Sequence, residues 1–183
     1  SQYVSLFLED PGQGLASAIN QAFKALPAST MFATWIGDDD ILREGAFWVC
    51  RDKLRNDPGA VAIYGSIGLI DANGTKFGYF KPPKLAPWIS TWGPNKVPQP
   101  GSLIRLASLR SIGFLDESFK FAFVGDMFLR LRKKGRIIST DMEVALYRWH
   151  SDSLSAGQSS RSIEEASLSR LKNLPGPLQN LAR

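Results

Sequence analysis

Asp38, Asp39 and Asp40 set three carboxylates side by side at the end of an apolar run, Ala33-Thr-Trp-Ile-Gly37. Adjacent like charges repel at short range, so no fold gains stability from the trio itself. A hard divalent cation rewards it, because such ions take oxygen ligands, often from one or two carboxylates plus the phosphates of a substrate. The chemistry on offer is metal-assisted work on a phosphate-bearing molecule. The plainer alternative is an acidic turn that opens a helix, where Asp suits the cap and first turn.

Other residues invite chemistry less strongly. Asp126 has Arg130 four positions later, and a carboxylate in a first helical turn with such a partner is explained by structure alone. His150 is the only histidine, and a lone histidine is more often structural than catalytic. Trp88 and Trp92 stand in a stretch rich in Pro and Lys, from Lys81 to Pro100. A loop of that length inside a compact domain is usually functional or disordered. Exposed Trp beside Lys suits a carbohydrate or phosphate-bearing acceptor, although the rings could equally fold back over the core.

The elements that must position these residues follow from periodicity. Tyr3 to Leu8 reads as a buried strand, and Glu9 to Gly14 as a turn. Leu15, Ala18, Ile19, Ala22, Phe23 and Leu26 then repeat with helical spacing, leaving Gln13, Ser17, Asn20 and Lys24 on the other side. A strand from Met31 to Ile36 enters the carboxylates, and a helix from roughly Arg43 to Asn56 buries Phe47, Cys50 and Leu54. Ala60 to Asp71 and Thr75 to Phe80 form strands about an Asn73-Gly74 hairpin turn. A short strand at Ser102 to Leu106, a helical turn at Ala107 to Ile112, a helix from Asp126 to Lys134 and a strand from Arg136 to Arg148 complete the series. A Ser/Gly-rich linker, Ser151 to Ser160, leads to a tail helix that Ser162 and Glu165 open as a capping box. The early rhythm of strand, turn and helix is that of an α/β sheet, whose ligands bind beyond the carboxyl ends of the strands. Both the Glu9–Gly14 turn and the acidic trio fall at such ends.

At 183 residues the chain is long enough for one domain with a real core. No apolar run reaches the roughly 18 residues of a membrane span, and no signal-peptide pattern opens the chain. A single cysteine, Cys50, rules out an internal disulfide and fits a cytosolic setting. The net charge of +5 would draw an anionic nucleotide or a membrane surface without establishing nucleic-acid binding.

The order of these features resembles a family 2 glycosyltransferase of the GT-A fold. The resemblance is carried by EDPGQGLASAINQAF from Glu9, TWIGDDD, IYGSIGLIDANG, GFLDESF, GDMFLRLRKKG and YRWHSDSLS, and runs from about residue 5 to about residue 157. It implies a mixed α/β sheet flanked by helices over residues 1–157, with residues 158–183 as a helical tail. It further implies inverting transfer of a sugar from a nucleotide-diphosphate donor to the hydroxyl of a carbohydrate or lipid-linked acceptor, with Mg²⁺ or Mn²⁺. Carried over residue by residue, Asp39 and Asp40 would hold the metal with His150, while Asp38 stands beside the donor. Gly37 replaces the frequent first Asp of the acidic motif. Asp10, Gly14 and Asn20 match the donor-side turn and helix, Asp126 falls in the region of the catalytic base, and Trp88 and Trp92 fall where acceptor loops vary. Many relatives carry an acidic pair near that helix, where this chain has Val124 and Gly125; Asp116 and Glu117 are the nearest substitutes.

Nothing here matches the strands that hold the nucleoside in that family, so the domain is expected to be N-terminally incomplete. Unpaired backbone and apolar faces would then be covered by self-association, most simply in a two-fold dimer. The resemblance points to a cytoplasmic protein, at most peripheral at the inner face of the membrane, with no nucleic-acid partner. Two alternatives stand beside transfer. One is a catalytically idle relative that keeps the fold. The other is a basic module for polyanions or membrane surfaces, resting on the cluster from Arg130 to Arg136.

Overall fold

The computed structural model describes residues 4–10, 12–149, 160–174 and 178. The elements, in chain order, are α1 (Leu15–Ala25), β1 (Phe32–Ala33), β2 (Ile41–Leu42), α2 (Ala46–Arg55), β3 (Ala60–Ile70), β4 (Lys76–Phe80), α3 (Ala86–Trp92), β5 (Leu103–Arg105), α4 (Leu106–Ser111), α5 (Phe123–Arg132), β6 (Arg136–Arg148) and α6 (Ser160–Asn173). They build a mixed α/β sheet in the order β1-β5-β3-β6-β2, with β4 also paired to β3. Among the described strands, only the β3–β6 pair is parallel.

Strand β3 is the spine, an almost wholly buried run of small and β-branched residues, as expected of a strand covered on both faces. Ala62 and Tyr64 pack into the larger core with Ile19 and Phe23 of α1, Leu109 of α4 and Met127 of α5. Ile63 packs into a smaller core with Cys50 and Leu54 of α2 and Val144 of β6. Gly65 lies where the β3–β6 register shifts. A Cβ there would meet a Val144 methyl at 2.5 Å and the Met142 carbonyl at 2.6 Å, so the strands approach this closely only because position 65 has no side chain.

Several elements differ from expectation. Residues 4–8 form no ladder and are exposed, Phe7 by 83%. Apolar content alone does not make a strand; a ladder needs a neighbour, and none of the described strands takes these residues as its partner. The carboxylates are followed by the two-residue strand β2 before helix α2 begins, and Phe47 is turned outward. The long Pro/Trp loop contains a helix, α3, with Pro87 in its first turn, where the missing N–H costs nothing. The linker from Ser151 and the boundary expected at residue 157 lie outside the described residues.

Helix α6 is packed on α5. Glu165, expected to cap its own helix, instead accepts hydrogen bonds from the backbone N–H groups of Phe121 (2.7 Å) and Ala122 (3.2 Å) at the start of α5. Those donors lack helical partners, so a carboxylate from the neighbouring helix satisfies them. They hold its pKa below the usual glutamate value, against the opposing effect of burial.

Candidate functional site

A cavity of about 500 Å³ lies at the carboxyl-terminal end of β3, where Ile67 and, from β6, Tyr147 line it. This is the end at which α/β sheets bind ligands. Asp40 enters from the acidic turn and Leu15 from the start of α1. Trp35, Phe80 and Phe121 supply aromatic wall, and Lys96, Lys120 and Arg170 supply cations. Asp40 is the only carboxylate among the described lining residues.

The acidic turn is set by Arg148 at the end of β6. Its backbone N–H donates to Asp40 Oδ1 at 2.9 Å, its Nε to the Asp39 carbonyl at 2.9 Å, and its Nη1 to the carbonyls of Asp71 (2.8 Å) and Ala72 (3.0 Å). One side chain thus ties the acidic turn to the hairpin after β3. Burial pushes the Asp40 carboxyl above its ordinary 3.8, assisted by the neighbouring charges of Asp39 and Asp38 and opposed by Arg148. Gly37 closes the turn, accepting the Asp40 N–H at 3.3 Å. A Cβ at 37 would stand 2.7 Å from Asp39 Oδ1, so glycine gives the following carboxylates room to fold back.

The cationic wall is folded by local hydrogen bonds. Ser90 Oγ of α3 donates to the Ala86 carbonyl and accepts the Lys96 N–H, each at 2.8 Å. Gln99 donates to the Trp35 carbonyl at 2.6 Å, joining this wall to the strand that leads into the carboxylates. Arg170 of α6 reaches the Gly93 carbonyl at 3.5 Å. Sequence alone assigns no role to Lys96, Lys120, Arg170 or Arg148, because they converge from four separate segments.

The expected site residues are dispersed. Asp38 is exposed, and Asp39 and Asp40 adjoin it; among the described residues no three or more His, Cys, Asp and Glu side chains converge as a metal cluster. Asp39 and Asp40 therefore fit a divalent ion only where phosphate oxygens supply most of the ligands. His150 lies outside the described residues. Asp10 makes a local turn, accepting the Gly12 N–H at 2.9 Å, and Gly14, with φ of 100°, precedes α1 next to the lining residue Leu15.

Asn20 is spent elsewhere. Its amide donates to the Leu115 carbonyl at 2.9 Å and accepts the Leu115 N–H at 2.9 Å, and it also donates to Glu117 at 2.7 Å. These bonds pull Asn20 and Ser17 inward, so α1 is rotated relative to the periodicity and Leu15 is left exposed. Here Asn20 forms a clamp between α1 and the 113–117 turn.

Asp126 is likewise engaged within the protein. It is fully buried, ion-paired to Arg130 Nε at 2.6 Å, and accepts from Asn173 Nδ2 at 2.9 Å and Ser169 Oγ at 3.2 Å. This carboxylate lies under α6 with both oxygens engaged by protein donors. Asp116, a possible substitute, is bound by Lys172 at 2.5 Å and by Ser118; although burial opposes them, these bonds hold its pKa down at about 2. Trp88 and Trp92 are more than half exposed, and neither lines the cavity.

No family model matches the chain, and a search of curated proteins finds no match. Among solved structures, the chain is similar to the crystal structure of S. aureus TarS 1-349, a family 2 glycosyltransferase, with a TM-score of 0.54 at 16% identity. The fold is glycosyltransferase-like. The match covers 74% of this chain and 40% of the TarS chain, so the chain spans less than half the length of that relative. Among the described residues, no helix is long and apolar enough to cross a membrane.

Proposed function

We propose that this chain is a glycosyl-transfer domain whose cavity takes the diphosphate and sugar of a nucleotide-sugar donor. The observation that carries the reading is the meeting of Asp40 with Lys96, Lys120 and Arg170 around an aromatic-walled cavity at the carboxyl end of β3. The three cations complement a diphosphate, and Trp35, Phe80 and Tyr147 offer flat apolar surface to a sugar ring. Asp39 and Asp40 are the residues to hold Mg²⁺ or Mn²⁺, which when bound would neutralise charge on the departing diphosphate. Arg148 keeps their turn at the cavity mouth. In the inverting reaction that the sequence resemblance implies, a carbohydrate or lipid-linked acceptor hydroxyl displaces the nucleoside diphosphate at the anomeric carbon.

A specific observation favours a second reading, donor binding without turnover. Asp40 is the only described cavity carboxylate, and one carboxylate cannot both ligate a cation and accept the acceptor's proton. Incubation with Mn²⁺ and a panel of nucleoside-diphosphate sugars, followed by release of free nucleoside diphosphate, separates the two. Donor-selective release that Asp40→Asn abolishes supports transfer. Tight binding without release supports the binding domain, and absence of both overturns the assignment. Self-association also belongs to this proposal, because Val4, Leu6, Phe7 and Leu8 are exposed apolar side chains within one short segment.

A further inference from the structure

Helix α3 presents opposite sides to two different environments. Ser90 lines the cavity, whereas Trp88 and the preceding Leu85 line a shallow groove at the other end of the sheet, beside Gly59 before β3 and Gly135 before β6. Leu85, Trp88 and Trp92 occur at i, i+3 and i+7, which places them on one helical face. They are 67%, 55% and 56% exposed. The helix has little freedom to turn this face inward: Ala86, Pro87 and Ser90 are buried, and Tyr64 of β3 donates its hydroxyl to the Pro83 and Lys84 carbonyls at 2.9 and 3.1 Å.

Cations border this apolar face. Lys84, Arg132 and Arg136 line the groove, and no carboxylate does so among the described residues. Arg132 donates to Thr91 of α3, and Arg136 pairs with Asp57 at 2.6 Å while remaining largely exposed. We propose that α3 docks the protein on an anionic lipid bilayer, with Leu85, Trp88 and Trp92 entering the headgroup boundary and Lys84 and Arg132 facing lipid phosphates. Trp and Leu on one helical face beside Lys and Arg is the chemistry of interfacial helices. A soluble polyanion would use the cations but has no need of an exposed leucine in line with two indoles. Docking in this orientation sets the Ser90 wall of the cavity close above the membrane. The inference does not depend on the reaction performed in that cavity.

The test is flotation of the full chain with phosphatidylcholine vesicles, with and without phosphatidylglycerol, together with tryptophan emission. Binding is expected only with the anionic lipid, with a blue shift in emission and weakening as salt is raised. Lys84→Gln should lower the partition coefficient about fivefold. The triple variant Leu85→Ser/Trp88→Ser/Trp92→Ser should abolish binding, and Trp88→Ser alone should lower it in case the triple variant folds poorly. Absence of vesicle binding, binding untouched by Trp88→Ser, or retention on heparin without vesicle binding would overturn the proposal.

Discussion

At the scale of single residues, Asp126 and Arg148 exchange the importance that their sequence contexts imply. Asp126 stands where the resemblance expects a base, and it is also a buried strut, so its removal should register in stability. Asp126→Asn leaves the Arg130 guanidinium short of its counter-charge beneath α6 and should cost about 3 kcal/mol in urea unfolding. Arg148 is given no role by the sequence, yet it supplies three carbonyls and one carboxylate oxygen with donors. Arg148→Met keeps the backbone bond to Asp40 but removes the three side-chain bonds to carbonyls. It should cost about 2 kcal/mol and loosen the acidic turn from the hairpin after β3, weakening donor binding by more than the stability loss explains. Asp40 and Asp116 provide opposite pH signatures. A carboxyl whose folded pKa is raised binds more protons folded than unfolded, so Asp40 reduces stability as pH rises through 3.8 and above. Asp40→Asn should therefore leave acid stability unchanged and raise stability near neutrality. Asp116, with a folded pKa near 2, contributes stability above 3.8 that is lost as pH falls towards 2, and Asp116→Asn should remove that acid-sensitive increment.

At the scale of elements, the central test concerns Glu165. Glu165→Ala removes the acceptor for two N–H groups at the head of α5 and should cost about 1–2 kcal/mol, visible as a lower thermal midpoint and faster amide exchange at Phe121 and Ala122. This cap illustrates what periodicity leaves unread. Strand β3 was legible end to end, because burial on both faces selects a run of small and β-branched residues, and the mostly half-buried β6 was legible by its place after the turn at residues 133–135. Helix α1 was legible in extent but not in rotation, since the hydrogen bonds that bury Asn20 come from a turn 95 residues away. Residues 4–8 look like a strand by composition and are not one, because strand formation depends on a neighbour that local sequence does not reveal. Helix α3 was hidden by its prolines, although Pro87 at the start of a helix is compatible with one. The acidic trio was legible as a place on the sheet. The cations facing it were not, since tertiary folding alone brings Lys96, Lys120 and Arg170 together.

At the scale of the whole molecule, a glycosyltransferase-like sheet carries a cavity at one end of its parallel pair and an apolar, cation-bordered helix face towards the other. Exposed apolar side chains at residues 4–8 add a third surface. Light scattering coupled to size exclusion should report a dimer that Leu6→Ser/Phe7→Ser returns to monomer; a monodisperse wild-type monomer would count against self-association. We propose that Asp39 and Asp40, with the facing cations, form a diphosphate-binding site. Calorimetric titration with inorganic pyrophosphate in the presence of Mn²⁺ tests this most directly, using wild-type protein and the Asp39→Asn/Asp40→Asn variant. Saturable binding to the wild type is expected, lost in the double variant while it remains folded by circular dichroism. Equal affinity in both proteins, or no heat with either, would contradict it.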